Sequence, residues 1–236
     1  MNTHLSKTIL TAIGLLAAGA ISSAQTDTSS FVLPKDSAPN FYLEAGAGFM
    51  RADAGGDLEG DLKNFAGGSM AFGYRINKAH KIQFEIGAYM ASDTESYSYA
   101  GGGSSISINL ELELTAVPVL VSYSYCIPLD QAGRCELRLT PTAGIYTMNA
   151  KLSGNLSAAG YGQAIAESDS ESDSDTSFAI GLGVGFTYHF SQKFYLDAGY
   201  RFLRTGKTEY DLIDGADTSI KSTNNHCLNV SFGWKF

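Results

Sequence analysis

Apolar residues alternate with small or polar residues along segments of about ten residues, and no other feature limits the fold of this chain as strongly. The segment from Cys227 to Phe236 shows the pattern. Leu, Val, Phe, Trp and Phe share one face, while Cys, Asn, Ser, Gly and Lys share the other. Because side chains along a β-strand point to opposite faces in turn, each such segment predicts a strand with one apolar side.

Seven further segments follow the same rule. They are residues 41–50, 66–76, 82–90, 106–125, 137–146, 178–190 and 194–203. In the fourth segment the apolar positions change from even to odd numbers, which predicts a β-bulge around Val117 and Pro118.

Short and long connections alternate between these eight segments. The short ones are 77–80, 128–134 and 191–192, and the long ones are 52–63, 93–104, 153–175 and 207–222. This order predicts an all-β fold, an eight-stranded antiparallel up-and-down transmembrane β-barrel with four long loops at one end.

A soluble β-sandwich also contains alternating strands and is the competing architecture. Its second face would meet water and be rich in Lys, Glu and Thr, whereas here that face is mainly Gly, Ala and Ser with isolated charges. Small residues fit a narrow enclosed lumen, and aromatic residues at strand ends fit the girdles of a membrane barrel. The sequence favours the barrel.

The first residues predict export. Lys7 precedes an apolar stretch that ends in small residues at Ala24, which is typical of a secretory signal peptide over 1–24. We expect a periplasmic segment over 25–39 and the barrel over 40–236. A net charge of −8 argues against nucleic-acid binding.

Three short motifs carry a family resemblance. They are Phe232-x-Trp234-x-Phe236, Tyr200-Arg201-Phe202 and Val117-Pro118-Val119-Leu120. With the strand count, the chain resembles small outer-membrane β-barrels, the superfamily of opacity-type proteins and of outer membrane protein A and X barrels, some of which are called porin-family proteins.

That resemblance implies a monomer in the cell outer membrane, surrounded by outer-membrane lipid and lipopolysaccharide. It also implies insertion by the barrel-assembly machinery, which would recognise Phe232, Trp234 and Phe236 in the last strand. The loops would be extracellular and both termini periplasmic, as the loop lengths also indicate.

Charged residues of both signs fall on the faces predicted to line the lumen. They are Glu44, Arg75, Glu85, Glu111, Glu113, Glu136, Arg138, His189, Asp197, Arg201 and Lys235. Because unpaired buried charge is costly, we expect a network of salt bridges that plugs the lumen. The alternative is a network that opens into a narrow conductive path.

His189 and Ser191 superficially resemble the catalytic pair of a lipid A deacylase barrel. Leu203 stands where the acid of that family would be expected, and the pair falls at a predicted turn. Nucleophilic catalysis needs a base and an orienting group that converge on the nucleophile. The sequence therefore predicts no enzyme activity and no cofactor.

Five carboxylates alternate with serine from Glu167 to Asp175. We interpret this stretch as a mobile, solvated acidic loop. The alternative is a Ca²⁺ site formed by Asp169, Glu171, Asp173 and Asp175, because Ca²⁺ prefers several oxygen ligands. The spacing matches no complete calcium-binding loop.

Cys126 and Cys135 flank the predicted turn between the fourth and fifth strands. An exported hairpin of this kind predicts a disulfide between them. Cys227 is expected to face the lumen as a free thiol.

A rigid barrel with four long loops favours a structural or surface-interaction role, because binding residues are concentrated on loops held by a scaffold. The alternative function is a narrow porin-like channel for small solutes or ions.

Overall fold

A computed structural model describes residues 40–53, 64–102, 104–160, 163–213, 216–220 and 222–236. The predicted signal peptide and periplasmic segment lie outside this range, as does most of the first long loop. Ten β-strands are present in the described residues: β1 Phe41–Asp53, β2 Asn64–Arg75, β3 His80–Gly101, β4 Ser104–Pro128, β5 Cys135–Gly160, β6 Gln163–His189, β7 Phe194–Thr205, β8 Thr208–Ile213, β9 Ala216–Ile220 and β10 Asn224–Lys235.

Eight strands close into a barrel in the order β1, β10, β7, β6, β5, β4, β3, β2. Every neighbouring pair is antiparallel, and Leu43 of β1 opposite Trp234 of β10 closes the ring. The predicted eight-stranded up-and-down barrel is therefore confirmed. A separate two-stranded hairpin, β8 with β9, lies beside β6. The described residues contain no helix long and apolar enough to cross a membrane.

The two ends of the barrel differ in length. The turn end carries the short connections around 76–79, 129–134 and 190–193, together with the start of β1 and the end of β10. At the opposite hairpin end, β3 pairs with β4 and β5 pairs with β6 far beyond the other strands. Most of the predicted loops 93–104 and 153–175 are therefore strand, because continuous ladders satisfy their backbone groups.

The predicted bulge at Val117 and Pro118 is wrong. β4 keeps one register with β3, from Tyr125 opposite His80 to Ser104 opposite Gly101. Even-numbered residues of β4 face the interior on both sides of Pro118. The apolar residues of β4 change from odd to even positions towards the hairpin end because the surroundings of the strand change. Near that end the interior that β4 faces becomes apolar and its outer face becomes polar.

A continuous band of apolar side chains covers the outer wall. Exposed fractions reach 51% for Phe84, 60% for Val121 and 66% for Leu182. A soluble sandwich would bury such residues, and exposed patches of this extent mark contact with another apolar phase. Aromatic rings gather at the turn end, where Phe41, Phe72 and Phe236 stack or tilt against one another.

Gly144 of β5 marks a close approach of two strands. A Cβ atom there would lie 2.1 Å from the carbonyl oxygen of Val119. We expect Gly144→Ala to lower the free energy of unfolding by about 1–3 kcal/mol, because backbone cannot yield as a side chain does. Urea titration in lipid vesicles, followed by Trp234 fluorescence, measures this change.

The matched control is Gly154→Ala on the same strand. The nearest atom to a Cβ there is a Leu110 methyl carbon at 3.6 Å, an ordinary contact. Its stability should stay unchanged or rise slightly, because alanine restricts the unfolded chain. Equal losses in the two variants would show that the close approach of the Val119 carbonyl is not the cause of the loss at Gly144.

Candidate functional site: the filled lumen and the projecting sheet

Two layers of side chains fill most of the lumen, and a small buried polar cluster of Thr205, Thr223 and Asn225 lies beside them at the hairpin end. The charged layer occupies the half near the turn end and is made of Glu44, Arg75, Lys81, Glu85, Glu136, Arg138, His189, Asp197, Arg201 and Lys235. The apolar layer occupies the half near the hairpin end and is made of Met50, Ala52, Phe65, Tyr89, Ala91, Leu114, Ala116, Leu120, Tyr146, Met148, Ala150, Ala179, Leu203 and Cys227.

Arg138 and Asp197 form a deeply buried ion pair in the charged layer. The Asp197 carboxylate is fully buried, and its second oxygen accepts a hydrogen bond of 2.6 Å from the Thr187 hydroxyl. A Cβ on Gly185 would lie 2.9 Å from a guanidinium nitrogen of Arg138. Glycine at this point of β6 therefore leaves the room that the guanidinium occupies.

A chain of four groups links β2, β5, β6 and β10. Arg75 makes a bidentate contact with Glu136, with one N···O distance of 3.0 Å. The Glu136 Oε1 atom, which also accepts from Arg75, lies 3.3 Å from Nε2 of His189, and the Lys235 ammonium donates to Nδ1 of His189 at 3.2 Å. The chain therefore runs from a guanidinium through a carboxylate and a neutral imidazole to an ammonium group at the turn end of the lumen.

Glu44 is held by two partners. The Tyr195 hydroxyl donates to it at 2.7 Å, and the Lys81 ammonium lies 3.6 Å away. The Tyr195 ring lies flat against Gly233, where a Cβ would fall 2.0 Å from the ring. The sequence prediction did not include Lys81, although its odd-numbered place on β3, in phase with Glu85, could have indicated it.

Arg201 of β7 completes the charged layer with a bidentate contact to Glu85 of β3, at N···O distances of 3.1 and 2.7 Å. The two strands face each other across the lumen. All the charges of this layer therefore lie near a group of opposite sign or a hydrogen-bonding partner.

Glu111 and Glu113 do not belong to this network, which corrects the sequence prediction. As odd-numbered residues of β4 they lie on the outer face, and both are exposed. Glu113 lies 3.5 Å from the exposed Lys151 of β5. The error came from the assumed bulge, which would have exchanged the two faces of this strand.

Ser191 is a turn residue. Its hydroxyl oxygen accepts from the backbone N–H groups of Lys193 and Phe194 at 3.2 and 2.9 Å. His189 points into the lumen towards Glu136. The two side chains serve separate structural roles.

Cys126 and Cys135 are free thiols, which corrects the predicted disulfide. Cys126 faces the lumen opposite Arg138, and Cys135 is three residues from Arg138, so the two point to opposite sides of the wall. Their Cα atoms are about 10 Å apart along the strand, beyond the roughly 7 Å that a disulfide spans. Cys227 is a free thiol in the apolar layer, as predicted.

We expect folded protein to react with N-ethylmaleimide at Cys135 alone, because Cys126 and Cys227 are 2% and 9% exposed. Unfolding without reductant should allow three adducts, counted by intact mass. A single adduct on the unfolded protein, with a protein mass lower by two hydrogens, would instead establish a disulfide.

The acidic stretch lies within β6 rather than in a loop. Asp169, Glu171, Asp173 and Asp175 are odd-numbered, so they share the inner face while the serines share the outer face. Successive carboxylates are about 7 Å apart along the strand. Among described residues, no three His, Cys, Asp or Glu side chains gather as a metal site would require.

Beyond the apolar band, residues 92–101, 104–113, 151–160 and 163–175 form a four-stranded extension that we call the projecting sheet. Its inner face continues the lumen wall. Cross-strand rows on that face, from the tip inwards, are Tyr99, Ile106, Ala158 and Ile165, then Tyr97, Ile108, Leu156 and Glu167, then Glu95, Leu110, Gly154 and Asp169, then Asp93, Leu112, Leu152 and Glu171.

The Tyr97 hydroxyl donates a hydrogen bond of 2.6 Å to the Glu95 carboxylate, and this hydrogen bond raises the pKa of Tyr97. A groove of about 340 Å³ opens at the tip of the projecting sheet. Tyr99, Ile106 and Ile165 are among its lining residues.

Comparison with known proteins agrees with this architecture. Residues 13–236 match the family model described as outer membrane protein beta-barrel domain. No curated protein sequence matches the chain.

Among solved structures, the chain is similar to the attachment invasion locus protein Ail of Yersinia pestis, with 16% identity, 84% of this chain and 99% of that chain covered, and a TM-score of 0.44. It is also similar to Neisserial surface protein A, with 20% identity, coverage of 85% and 100%, and a TM-score of 0.44. For OprG of Pseudomonas aeruginosa the identity is 10%, the coverage 84% and 96%, and the TM-score 0.46.

Proposed function

The chain belongs to the outer membrane protein β-barrel domain family, and on that premise we propose that it acts as a closed barrel whose projecting sheet is a surface for interaction with other molecules. The family implies the cell outer membrane. The outer apolar band is the surface that contacts lipid there.

The observation that carries this proposal is the filled lumen. Eight strands leave an interior just wide enough for side chains, and here a charged layer and an apolar layer fill it in series. A cavity in the charged layer, between Tyr42 and Lys235, measures about 10 Å³ and has room for one water molecule at most. Opening a path would separate buried ion pairs, which is costly.

We further propose that the turn end is periplasmic and the hairpin end extracellular. Short turns lie at one end of the barrel and the extended β3–β4 and β5–β6 hairpins at the other, and outer-membrane barrels with periplasmic termini likewise have short periplasmic turns and longer extracellular connections. In this orientation the projecting sheet stands in the medium around the cell, where it meets lipopolysaccharide and external molecules.

The last strand supports a proposed role in assembly. The Phe236 N–H donates to the Phe41 carbonyl at 3.0 Å, and the Phe236 ring contacts Trp234. Phe232 and Trp234 lie on the lipid-facing side, 49% and 44% exposed. We propose that these three aromatic residues are recognised by the barrel-assembly machinery before the β1–β10 seam closes, and that the closed barrel is a monomer.

The experiment that tests closure is single-channel recording of purified, refolded protein in planar bilayers. We expect no steady conductance steps, because both layers block the lumen. Folding of the same preparation is checked by the shift of its band on electrophoresis with and without heating. A steady open state in folded protein would support the alternative function, a narrow porin-like channel, and overturn the closed barrel.

A further inference from the structure

We propose that the inner face of the projecting sheet binds a basic amphipathic peptide segment in extended conformation. This inference rests on the proposed surface-interaction function and adds the chemistry of the partner. Two properties of the face carry it: an exposed apolar strip, and carboxylates along both sides of that strip.

The apolar strip follows β4 and β5. Ile106, Ile108, Leu110 and Leu156 are between 37% and 45% exposed. They lie on the lumen side of the wall, beyond the apolar layer, so lipid around the barrel does not cover them. Exposed apolar strips of this kind mark interaction sites on folded proteins.

Carboxylates border the strip on both flanking strands. Asp93 and Glu95 lie on β3, and Glu167, Asp169 and Glu171 lie on β6, all on the same face. None of these five forms an ion pair within the described part of the chain. They remain exposed although the β8–β9 hairpin lies beside β6.

The spacing matches an extended peptide. Carboxylates on β6 repeat at every second residue, about 7 Å apart, and the two acidic borders are separated by three strand spacings, about 14 Å. An extended peptide also repeats its side chains at about 7 Å on each face. Alternate apolar residues would contact the strip. The intervening lysine or arginine side chains start on the far face of the peptide and are long and flexible enough to turn back to the carboxylates on either side.

The outer face of the same sheet shows that the strip is not a general property of these strands. Ser92, Ser105, Ser107, Asn109 and Ser153 occupy the outer face, with Glu111 and Glu113 near its base. A second copy of the chain or an anionic polysaccharide would bring like charge against the acidic borders. Charge complementarity therefore selects a cationic partner.

The test uses the full-length protein in phosphatidylcholine nanodiscs and a fluorescein-labelled peptide of about eight residues in which Lys and Val alternate. Fluorescence anisotropy measures binding, after subtraction of the signal from empty nanodiscs. D93N/E95Q should weaken binding by about fivefold, and E167Q/D169N/E171Q by about tenfold. I106S/I108S/L156S should weaken it by at least about tenfold.

The control variant is E111Q/E113Q. It removes two charges that lie at the same level along the sheet as Asp93 and Glu95 but on the outer face. Peptide binding should therefore change by less than about twofold. Equal losses in E111Q/E113Q and D93N/E95Q would overturn the inner-face site. Equal binding of a Glu–Val peptide, or of a Lys–Ser peptide, would also overturn it.

Bilayer recording of the same preparation separates the two proposals. A silent barrel that fails to bind the Lys–Val peptide refutes this inference and leaves the closed surface barrel intact. A steadily conducting barrel refutes the closed barrel, whatever the peptide does.

Discussion

Arg138→Met is expected to lower the free energy of unfolding by about 3–5 kcal/mol, because it leaves a buried carboxylate without its counter-charge. Asp197 is 0% exposed, and Thr187 would remain as its hydrogen-bonding partner. One neutral hydroxyl does not replace a guanidinium. Chemical unfolding in lipid vesicles, followed by the fluorescence of the single tryptophan, measures the loss.

The double variant R138M/D197L is the control for this prediction. Replacing both partners of a buried pair by apolar residues is often neutral, so the double variant should lose about 1 kcal/mol or less. If both variants lost the same free energy, the cost would come from packing around residue 138 rather than from an uncompensated charge. Folding of each variant is checked by its heat-dependent electrophoretic shift.

Phe65→Ala is expected to destabilise the barrel by about 3–5 kcal/mol, because it removes a large side chain from the centre of the apolar layer. Phe65 is 1% exposed and packs in the same cluster as Met50 and Tyr146. The same unfolding titration measures the change. Phe65→Leu is the matched variant and should cost about 1.5 kcal/mol or less, since it keeps most of the buried volume.

The same variant tests the series arrangement of the two layers. Phe65→Ala should remain silent in planar bilayers, because the Arg75–Glu136 and Arg201–Glu85 contacts still close the charged layer. Steady current through folded Phe65→Ala would show that the apolar layer alone holds the barrel shut. Equal stability of the alanine and leucine variants would show that the apolar layer is loosely packed.

The faces of most strands could be predicted from sequence alone. In β7, residues such as Asp197 and Arg201 were expected inside, and the structure has them there. The same holds for Cys227 and Lys235 of β10. In these strands the outer side chains meet one apolar environment along the whole span. The apolar positions therefore mark the outer face from one end of the strand to the other.

β4 shows where that logic failed. Its apolar residues change from even to odd positions, and sequence reasoning explained the change by a bulge at Val117. The structure keeps the register and changes the environment instead, with Leu114 inside an apolar layer and Glu113 outside in water. An apolar residue can face lipid or an apolar lumen, and the pattern of one strand does not distinguish them.

The pairing of side chains across the lumen was also beyond the sequence. Glu44 and Lys81, or Glu85 and Arg201, are far apart in the chain and come together only through the closed register of the barrel. The predicted bond between Cys126 and Cys135 failed for the same reason. The two cysteines are close in sequence, which suggested a pair. In the structure Cys126 stands opposite Arg138, three residues after Cys135, and this offset puts the thiols on opposite faces of the wall.

The sequence by itself determined the barrel, its strand number and the two faces of strands that lie in one environment throughout, because alternation is a local property of the extended backbone. Tertiary structure alone decided the closure of the lumen, the two layers that fill it and the acidic and apolar face of the projecting sheet. These features depend on which residues of different strands stand opposite one another, and that is set by the register around the whole ring.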